Sequence, residues 1–421
     1  MQFESTRGQS PQLSVSDAIL HGPAPDGGLY VPRELPNIDE KVFDPHLSYQ
    51  EAAELILRPF FEGDRLESRL PELCRSAFSF DVPLHELEEN RLVLELFHGP
   101  TAAFKDFGAR FLAAALSELQ KDSSEELTVL VATTGNTGGA VAAAFHEIEG
   151  INVKILFPKG QVSGRQFKQL TCWSGNISSY EVDGEFEECQ QLVKSALFSV
   201  DLKSRYRLTS GNSVNIGRLL PQIVYYVYGA VRFQHATGRR PIVIIPSGNV
   251  GNSVGAYYAV AMGAPIDRIV LAVNANRAVP DFLAMGRYEP RPSIPTLAKA
   301  MDVGDPSNIE RLQNLFPEVD ELRRHVFAYS VSDAEIKNTI RYVQSAFNYT
   351  LCPHTATAEY VREDFYPDEP SFVVATAHPA KFQHIVEPLI SRSIEIPAAL
   401  RPLIESQSRY TPIEPALEQL F

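Results

Sequence analysis

Three short stretches of this chain are apolar at every position: Val129-Leu-Val-Ala132, Ile242-Val-Ile-Ile245 and Phe372-Val-Val-Ala375. A strand with one wet face alternates apolar and polar side chains, so an unbroken apolar run belongs to a strand covered on both faces. Strands of that kind are parallel and are joined by helices that cross the sheet. The flanking sequence has the matching texture. Further strands are expected at Val153–Phe157, Ile177–Val182, Tyr206–Leu208 and Arg268–Val273, and the last apolar run extends over Ser371–Ala377. Between the strands lie helical patterns at Phe111–Gln120, Gly139–Ile148, Phe186–Phe198, Ile216–Phe233, Ser253–Met262 and Asp333–Asn348. The fold class is therefore α/β, with parallel sheets covered by helices.

A length of 421 residues exceeds one ordinary core. The expected division is a mixed N-terminal segment over residues 1–90, an α/β domain over 91–235 and a second over 236–421. The first segment holds two amphipathic helices, Tyr49–Phe61 and Arg65–Ala77, after a turn-rich stretch that ends in a short extended piece at Pro32. Residues 290–326, rich in proline and charge, read as a connecting excursion. The net charge of −14 argues against nucleic acid or an anionic membrane as partner. Cys74, Cys172, Cys189 and Cys352 have no metal-ligand spacing and suit free thiols in a reducing compartment. With no apolar leader and no membrane-length apolar run, the expectation is a soluble, cytoplasmic protein without a metal site.

The chemistry-bearing segments lie where strands give way to helices. His98-Gly-Pro-Thr-Ala-Ala-Phe-Lys105-Asp-Phe107 sets one lysine between two phenylalanines as a Gly/Pro loop turns into an apolar helix. Apolar surroundings lower a lysine pKa and make its amine nucleophilic, although the segment alone suits a solvated lysine at a helix start equally well. Thr133-Thr-Gly-Asn-Thr-Gly-Gly139 and Pro246-Ser-Gly-Asn-Val-Gly-Asn252 each follow a buried strand and open a helix. Glycines admit close approach of a ligand, and helix-start N–H groups favour an anion. Such loops are also ordinary turns, and neither matches the glycine patterns that bind nucleoside triphosphates or dinucleotides. Leu208-Thr-Ser-Gly-Asn-Ser-Val-Asn-Ile-Gly-Arg218 reads first as an N-cap with an exposed arginine. Its second reading is an anion site formed by Asn212, Ser213, Asn215 and Arg218.

Together these motifs resemble the threonine synthase family, pyridoxal-phosphate enzymes of fold type II, here with an added N-terminal segment. The resemblance also covers Ser5-Thr-Arg-Gly8, Ala24-Pro-Asp-Gly-Gly-Leu-Tyr-Val31, Asn274-Ala-Asn276, Val279-Pro-Asp-Phe282, Pro353-His-Thr-Ala356 and Ala375-Thr-Ala-His-Pro-Ala-Lys-Phe382. It implies that Lys105 is the Schiff-base lysine and proton shuttle. Gly248, Asn249, Val250 and Asn252 would hold the cofactor phosphate, Asn136 would lie beside the ring hydroxyl, and Thr376 would face the pyridine nitrogen. Thr134, Gly135 and Thr137 would hold the substrate α-carboxylate, with Asn212, Ser213, Asn215 and Arg218 at the leaving phosphate. The activity implied is conversion of O-phospho-L-homoserine and water to L-threonine and phosphate, by a monomer or homodimer. The alternative is a phospho-lyase that releases phosphate, ammonia and a 2-oxo acid. Gly211 departs from the family pattern, in which alanine is common at this position.

Overall fold

The computed structural model describes residues 1–162 and 164–421. Its strands are β1 (Phe3–Ser5), β2 (Tyr30–Pro32), β3 (Leu84–Glu88), β4 (Arg91–Glu95), β5 (Leu127–Ala132), β6 (Ile151–Pro158) and β7 (Ile177–Val182). The remainder are β8 (Arg207–Ser210), β9 (Ile242–Pro246), β10 (Arg268–Val273), β11 (Phe327–Ser330), β12 (Ser371–Ala375) and β13 (Thr411–Ile413). One sheet has the order β13-β7-β6-β5-β8, a second β11-β10-β9-β12-β4-β3, and β1 pairs with β2 in a small ribbon. The five-stranded sheet is parallel throughout. In the six-stranded sheet the β3–β4 hairpin is antiparallel and the other pairs are parallel. Every residue of β5, β9 and β12 is buried, as their unbroken apolar runs require.

The expected division at residues 90 and 235 does not follow the sheets. A boundary at residue 90 cuts the β3–β4 hairpin, and β4 pairs along its length with β12, from Arg91 opposite Ser371 to Glu95 opposite Ala375. The chain thus lays down one edge of the second sheet before it crosses to the first. Near its other end β13 returns to pair with β7 of the first sheet. Contiguous division failed because strand pairing is non-local, and because β3 is a largely exposed strand without an apolar run.

The N-terminal segment is continuous with the main core. Its helix Tyr49–Phe61 starts with a reciprocal Ser48–Glu51 capping box and buries Ala52, Ala53, Ile56, Leu57, Phe60 and Phe61. Phe78, just past the helix Leu70–Ala77, stacks on Phe111 at 6.0 Å and 8°, and packs against Phe107. Both partners belong to the helix Lys105–Gln120, so the segment braces the helix that carries the candidate lysine. Among the described residues no helix is long and apolar enough to cross a membrane.

Candidate active site

At the carboxyl ends of the strands, where parallel α/β sheets bind ligands, the loops after β4 and β12 are tied to each other and the loop after β8 is tied to the end of β5 and the loop after β9. The loop after β4 is zipped to the loop after β12. Phe104 donates its N–H to the Thr376 carbonyl at 2.9 Å, and His378 donates to the Ala102 carbonyl at 3.0 Å. Ala102 takes a left-handed conformation, φ 52°, to turn the chain into the helix that begins at Lys105. Thr101 and Asp106 close this turn: Asp106 accepts from the Thr101 N–H at 2.9 Å and from its hydroxyl at 2.6 Å. Gly99 packs so closely on Asp106 that a Cβ there would lie 2.4 Å from the carboxylate.

Lys105 emerges from that turn half-buried, with its amine 4.7 Å from the Phe104 ring. Burial, aided by the nearby charge of Arg218, pulls its pKa down to about 7. No carboxylate pairs with it among the described residues. The amine is therefore neutral for much of the time at physiological pH, which a nucleophilic lysine needs. The lysine is thus half-buried against an aromatic ring and not fully solvated.

The loop after β9 forms a cradle. Val250 is held left-handed, φ 62°, at the start of the helix Gly251–Ala261, whose first-turn N–H groups have no intrahelical partners. Gly248 must lack a side chain, because a Cβ would lie 2.6 Å from Met301 Cα and 3.2 Å from the Ala300 carbonyl oxygen. Asn252 is buried, and its Oδ1 accepts from the hydroxyls of Tyr225 and Tyr226, the latter at 2.8 Å. Its Nδ2 is left buried without a partner. Asn249 does not offer its side chain: its Oδ1 accepts from the Ser307 N–H at 2.6 Å and its Nδ2 donates to Ser213 at 3.1 Å. Its backbone remains part of the cradle.

The loop after β5 is shaped by Thr133, whose hydroxyl accepts from the N–H groups of Gly135 at 2.9 Å and Gly138 at 3.0 Å. Gly135 has φ 143° at the start of the helix Asn136–Phe145. Thr134 and Thr137 are half-buried beside it, and Asn136 is buried with its Oδ1 accepting from Gln166 at 3.2 Å. Thr376 is buried at the end of β12.

The loop after β8 corrects two expectations. Asn215 is fully buried and caps the helix Ile216–Thr237: its Oδ1 accepts from the Gly217 N–H at 2.9 Å, and its Nδ2 donates to the carbonyls of Ile19 and Ser210. Asn212 clamps the end of β5, accepting from the Ala132 N–H at 3.0 Å and donating to its carbonyl at 2.8 Å. The Asn215 carboxamide is spent on backbone, so it is no ligand to the leaving phosphate, whereas Asn212 keeps one N–H of its amide free. Arg218 is not the exposed residue of the N-cap reading either. It is buried, donates to the Gly211 carbonyl, keeps an unpartnered Nε, and burial lowers its pKa to about 10. Gly211 has no room for the usual alanine, since a Cβ would lie 2.7 Å from Val131 Cγ2.

Residues far along the chain, inside two of the quoted motifs but given no role there, complete the site. His354, buried at the start of the helix Pro353–Phe365, accepts the Ala300 N–H on Nε2 at 3.1 Å and so pins a strap, residues 298–302, against Gly248. Burial, then the charges of Lys105 and Lys381, push its pKa to about 3, so it is neutral. Lys381 is buried, donates to the Thr101 carbonyl at 2.5 Å, and is lowered to about 8 by burial against the opposing pull of Asp106. Their motifs, Pro353-His-Thr-Ala356 and Ala375-Thr-Ala-His-Pro-Ala-Lys-Phe382, were the signal in the sequence.

A pyridine aldehyde phosphate fits this donor set. The unpartnered Asn252 Nδ2, the bare backbone at Gly248 and the helix-start N–H groups of Asn252 and Ser253 suit a phosphate ester, and the depressed Lys105 amine suits an aldehyde. Comparison with known proteins agrees. Residues 81–363 match the family model for pyridoxal-phosphate dependent enzymes, 2–78 the threonine synthase N terminus and 352–420 the threonine synthase C-terminal region. The threonine synthase of Haemophilus influenzae is 38% identical, over 95% of this chain and 94% of its own. That of Escherichia coli K12 is 36% identical, over 95% and 94%. The crystal structure of Escherichia coli threonine synthase superposes with a TM-score of 0.92 at 35% identity, covering 100% of this chain and 98% of the other. The pyridoxal-phosphate-bound threonine synthase from Brucella melitensis gives 0.90 at 33%, with the same coverage.

Proposed function

This chain belongs to the threonine synthase family of pyridoxal-phosphate-dependent enzymes, and from that premise we infer that its cleft converts O-phospho-L-homoserine and water to L-threonine and phosphate. The observation that carries the reading is a depressed lysine amine without a carboxylate partner, together with a cradle whose buried amide donor lacks a partner.

Lys105 would hold the cofactor through its amine, while the backbone of Gly248, Asn249 and Val250 and the Nδ2 of Asn252 hold its phosphate. Asn136 would stand by the ring hydroxyl and Thr376 by the ring nitrogen, where a neutral hydroxyl does not force that nitrogen to be protonated. When bound, pyridoxal phosphate supplies an electron sink for negative charge developed on the substrate carbons. The chain's own residues supply the rest. Lys105, once released, removes the Cα proton and returns it, a task suited to an amine near pKa 7. Thr134, Gly135 and Thr137 orient the α-carboxylate at a helix start. Ser213 and the buried Arg218 receive the departing phosphate, with Asn212 and Asn215 holding their loop from behind. Four unpaired thiols suit a cytoplasmic setting.

Purified protein mixed with pyridoxal phosphate and O-phospho-L-homoserine should form threonine and phosphate in equal amounts. Phosphate with 2-oxobutyrate would instead assign the phospho-lyase reaction.

A further inference from the structure

Around Ser213 every hydrogen-bond direction can be read without ambiguity. A carboxamide is normally ambiguous in its orientation, but here each one faces a group that bonds in only one sense. Asn249 Oδ1 takes the backbone N–H of Ser307 at 2.6 Å, so its NH2 faces Ser213 Oγ at 3.1 Å. Asn308 Oδ1 takes an Arg311 guanidinium N–H at 2.7 Å, and its NH2 donates to the Asn249 carbonyl at 3.1 Å and to Ser213 Oγ at 3.0 Å. Arg311 also holds the Ser213 and Val214 carbonyls, at 2.7 and 2.9 Å. Both lone pairs of the Ser213 hydroxyl are therefore occupied. Its one proton is left over, on a half-buried residue.

We propose that Asn308 is a positioning residue that fixes Ser213 as an obligate hydrogen-bond donor to a phosphate-ester oxygen in the cleft. The proposal rests on the reading given under Proposed function and goes one step further, from the residue to the sense of its bond. A hydroxyl locked in this way welcomes an acceptor oxygen and repels the lone pair of none. The cluster also packs on the first residue of the cradle helix: a Cβ on Gly251 would come within 3.0 Å of Asn308 Nδ2 and 3.4 Å of Ser213 Cβ. Ser213, in the loop after β8, thus stands against the cradle, and either the cofactor or the substrate could supply the phosphate ester.

The test inverts the polarity. Asn308→Asp keeps the Arg311 contact but sets an oxygen against Ser213, whose proton then turns to the carboxylate. Asn249→Asp makes the same inversion from the other side, so a poorly folding first variant leaves the test standing. Two quantities are read: the Kd of the cofactor-free protein for pyridoxal phosphate, and, in cofactor-saturated enzyme, KM for O-phospho-L-homoserine with Ki for inorganic phosphate. Ser213→Ala should weaken one of the two by about tenfold or more, the scale of a hydrogen bond to a charged group. A loss in the first assigns the cofactor's phosphate and a loss in the second the substrate's. Asn308→Asp should show a similar loss in the same quantity, and almost none when added to Ser213→Ala. If Ser213→Ala changes neither quantity, the placement of Ser213 in the site is wrong. If it does, but Asn308→Asp has no effect or an undiminished one in the Ser213→Ala background, the placement stands and the fixed polarity is overturned.

Discussion

Gly248→Ala is the sharpest probe of the cradle. The added Cβ would lie 2.6 Å from Met301 Cα. Carbon atoms settle at about 3.5 Å, so the strap would have to retreat by roughly 0.9 Å. It is poorly placed to do so. The Ala300 N–H is bonded to His354 at 3.1 Å, the Met301 N–H to the Ala298 carbonyl at 2.8 Å, and the Asp302 N–H to the Lys299 carbonyl at 3.1 Å. Asp302 is further held by the Thr296 N–H at 3.0 Å and its hydroxyl at 2.7 Å. Overpacking of this kind costs about 1–3 kcal/mol. If the Gly248 loop moves instead of the strap, that cost falls on the cradle, and pyridoxal phosphate should bind about fivefold to a hundredfold more weakly at 1.4 kcal/mol per decade. Titration of the cofactor-free protein, followed by fluorescence, gives the Kd directly, with thermal unfolding run alongside. A variant with native Kd and native Tm would refute the argument that this glycine exists to admit the strap.

Lys105→Met should stabilise the cofactor-free protein. The lysine titrates near 7 in the fold against 10.5 in the unfolded chain, so between those values the unfolded state carries the extra proton and stability climbs as pH rises. The variant lacks that contribution, and its advantage over the parent should be greatest near pH 7 and fade toward pH 10; parallel curves would refute the burial of this amine. Asn215→Ala removes a helix cap and leaves the Ser210 carbonyl without this donor and the Ile19 carbonyl with the Thr209 hydroxyl alone, which should cost about 1–3 kcal/mol in denaturant unfolding with substrate KM unchanged. A raised KM at full stability would return Asn215 to the substrate. Arg362→Met strands the fully buried Glu359, which Arg362 holds at 2.7 Å, and should cost about 3–5 kcal/mol by the same measurement. Adding Glu359→Gln should restore much of that loss, and a harmless single substitution would show that Arg91, 3.4 Å from Glu359, suffices as partner.

Much of the architecture was legible in the chain because burial on two faces leaves a plain mark. The strands Ile177–Val182 and Arg268–Val273 and the helices Tyr49–Phe61 and Phe186–Phe198 have the bounds that their patterns predict. Strands without that mark escaped: β3 is mostly exposed, β11 is half-buried throughout, and β13 is three residues long. The lysine turn and the cradle loop were also readable, since a glycine or an apolar-flanked lysine carries its meaning locally. The helix-start cap of the segment after β8 was readable as well, although which asparagine makes it was not.

The sequence by itself determined the two-faced strands, the placing of the ligand loops at their carboxyl ends, and the family. Only the tertiary structure decided what each polar side chain does there. Asn212, Asn215, Asn249 and Asn252 are chemically identical, yet the first clamps a strand end, the second caps a helix, the third ties two loops together and the fourth keeps a free donor. From the other end of the chain Lys381 reaches the lysine turn and His354 reaches the segment beside the cradle. A carboxamide or an imidazole makes bonds of similar strength to any well-placed partner. Which partner it meets is set by non-local packing, and local sequence does not encode that geometry.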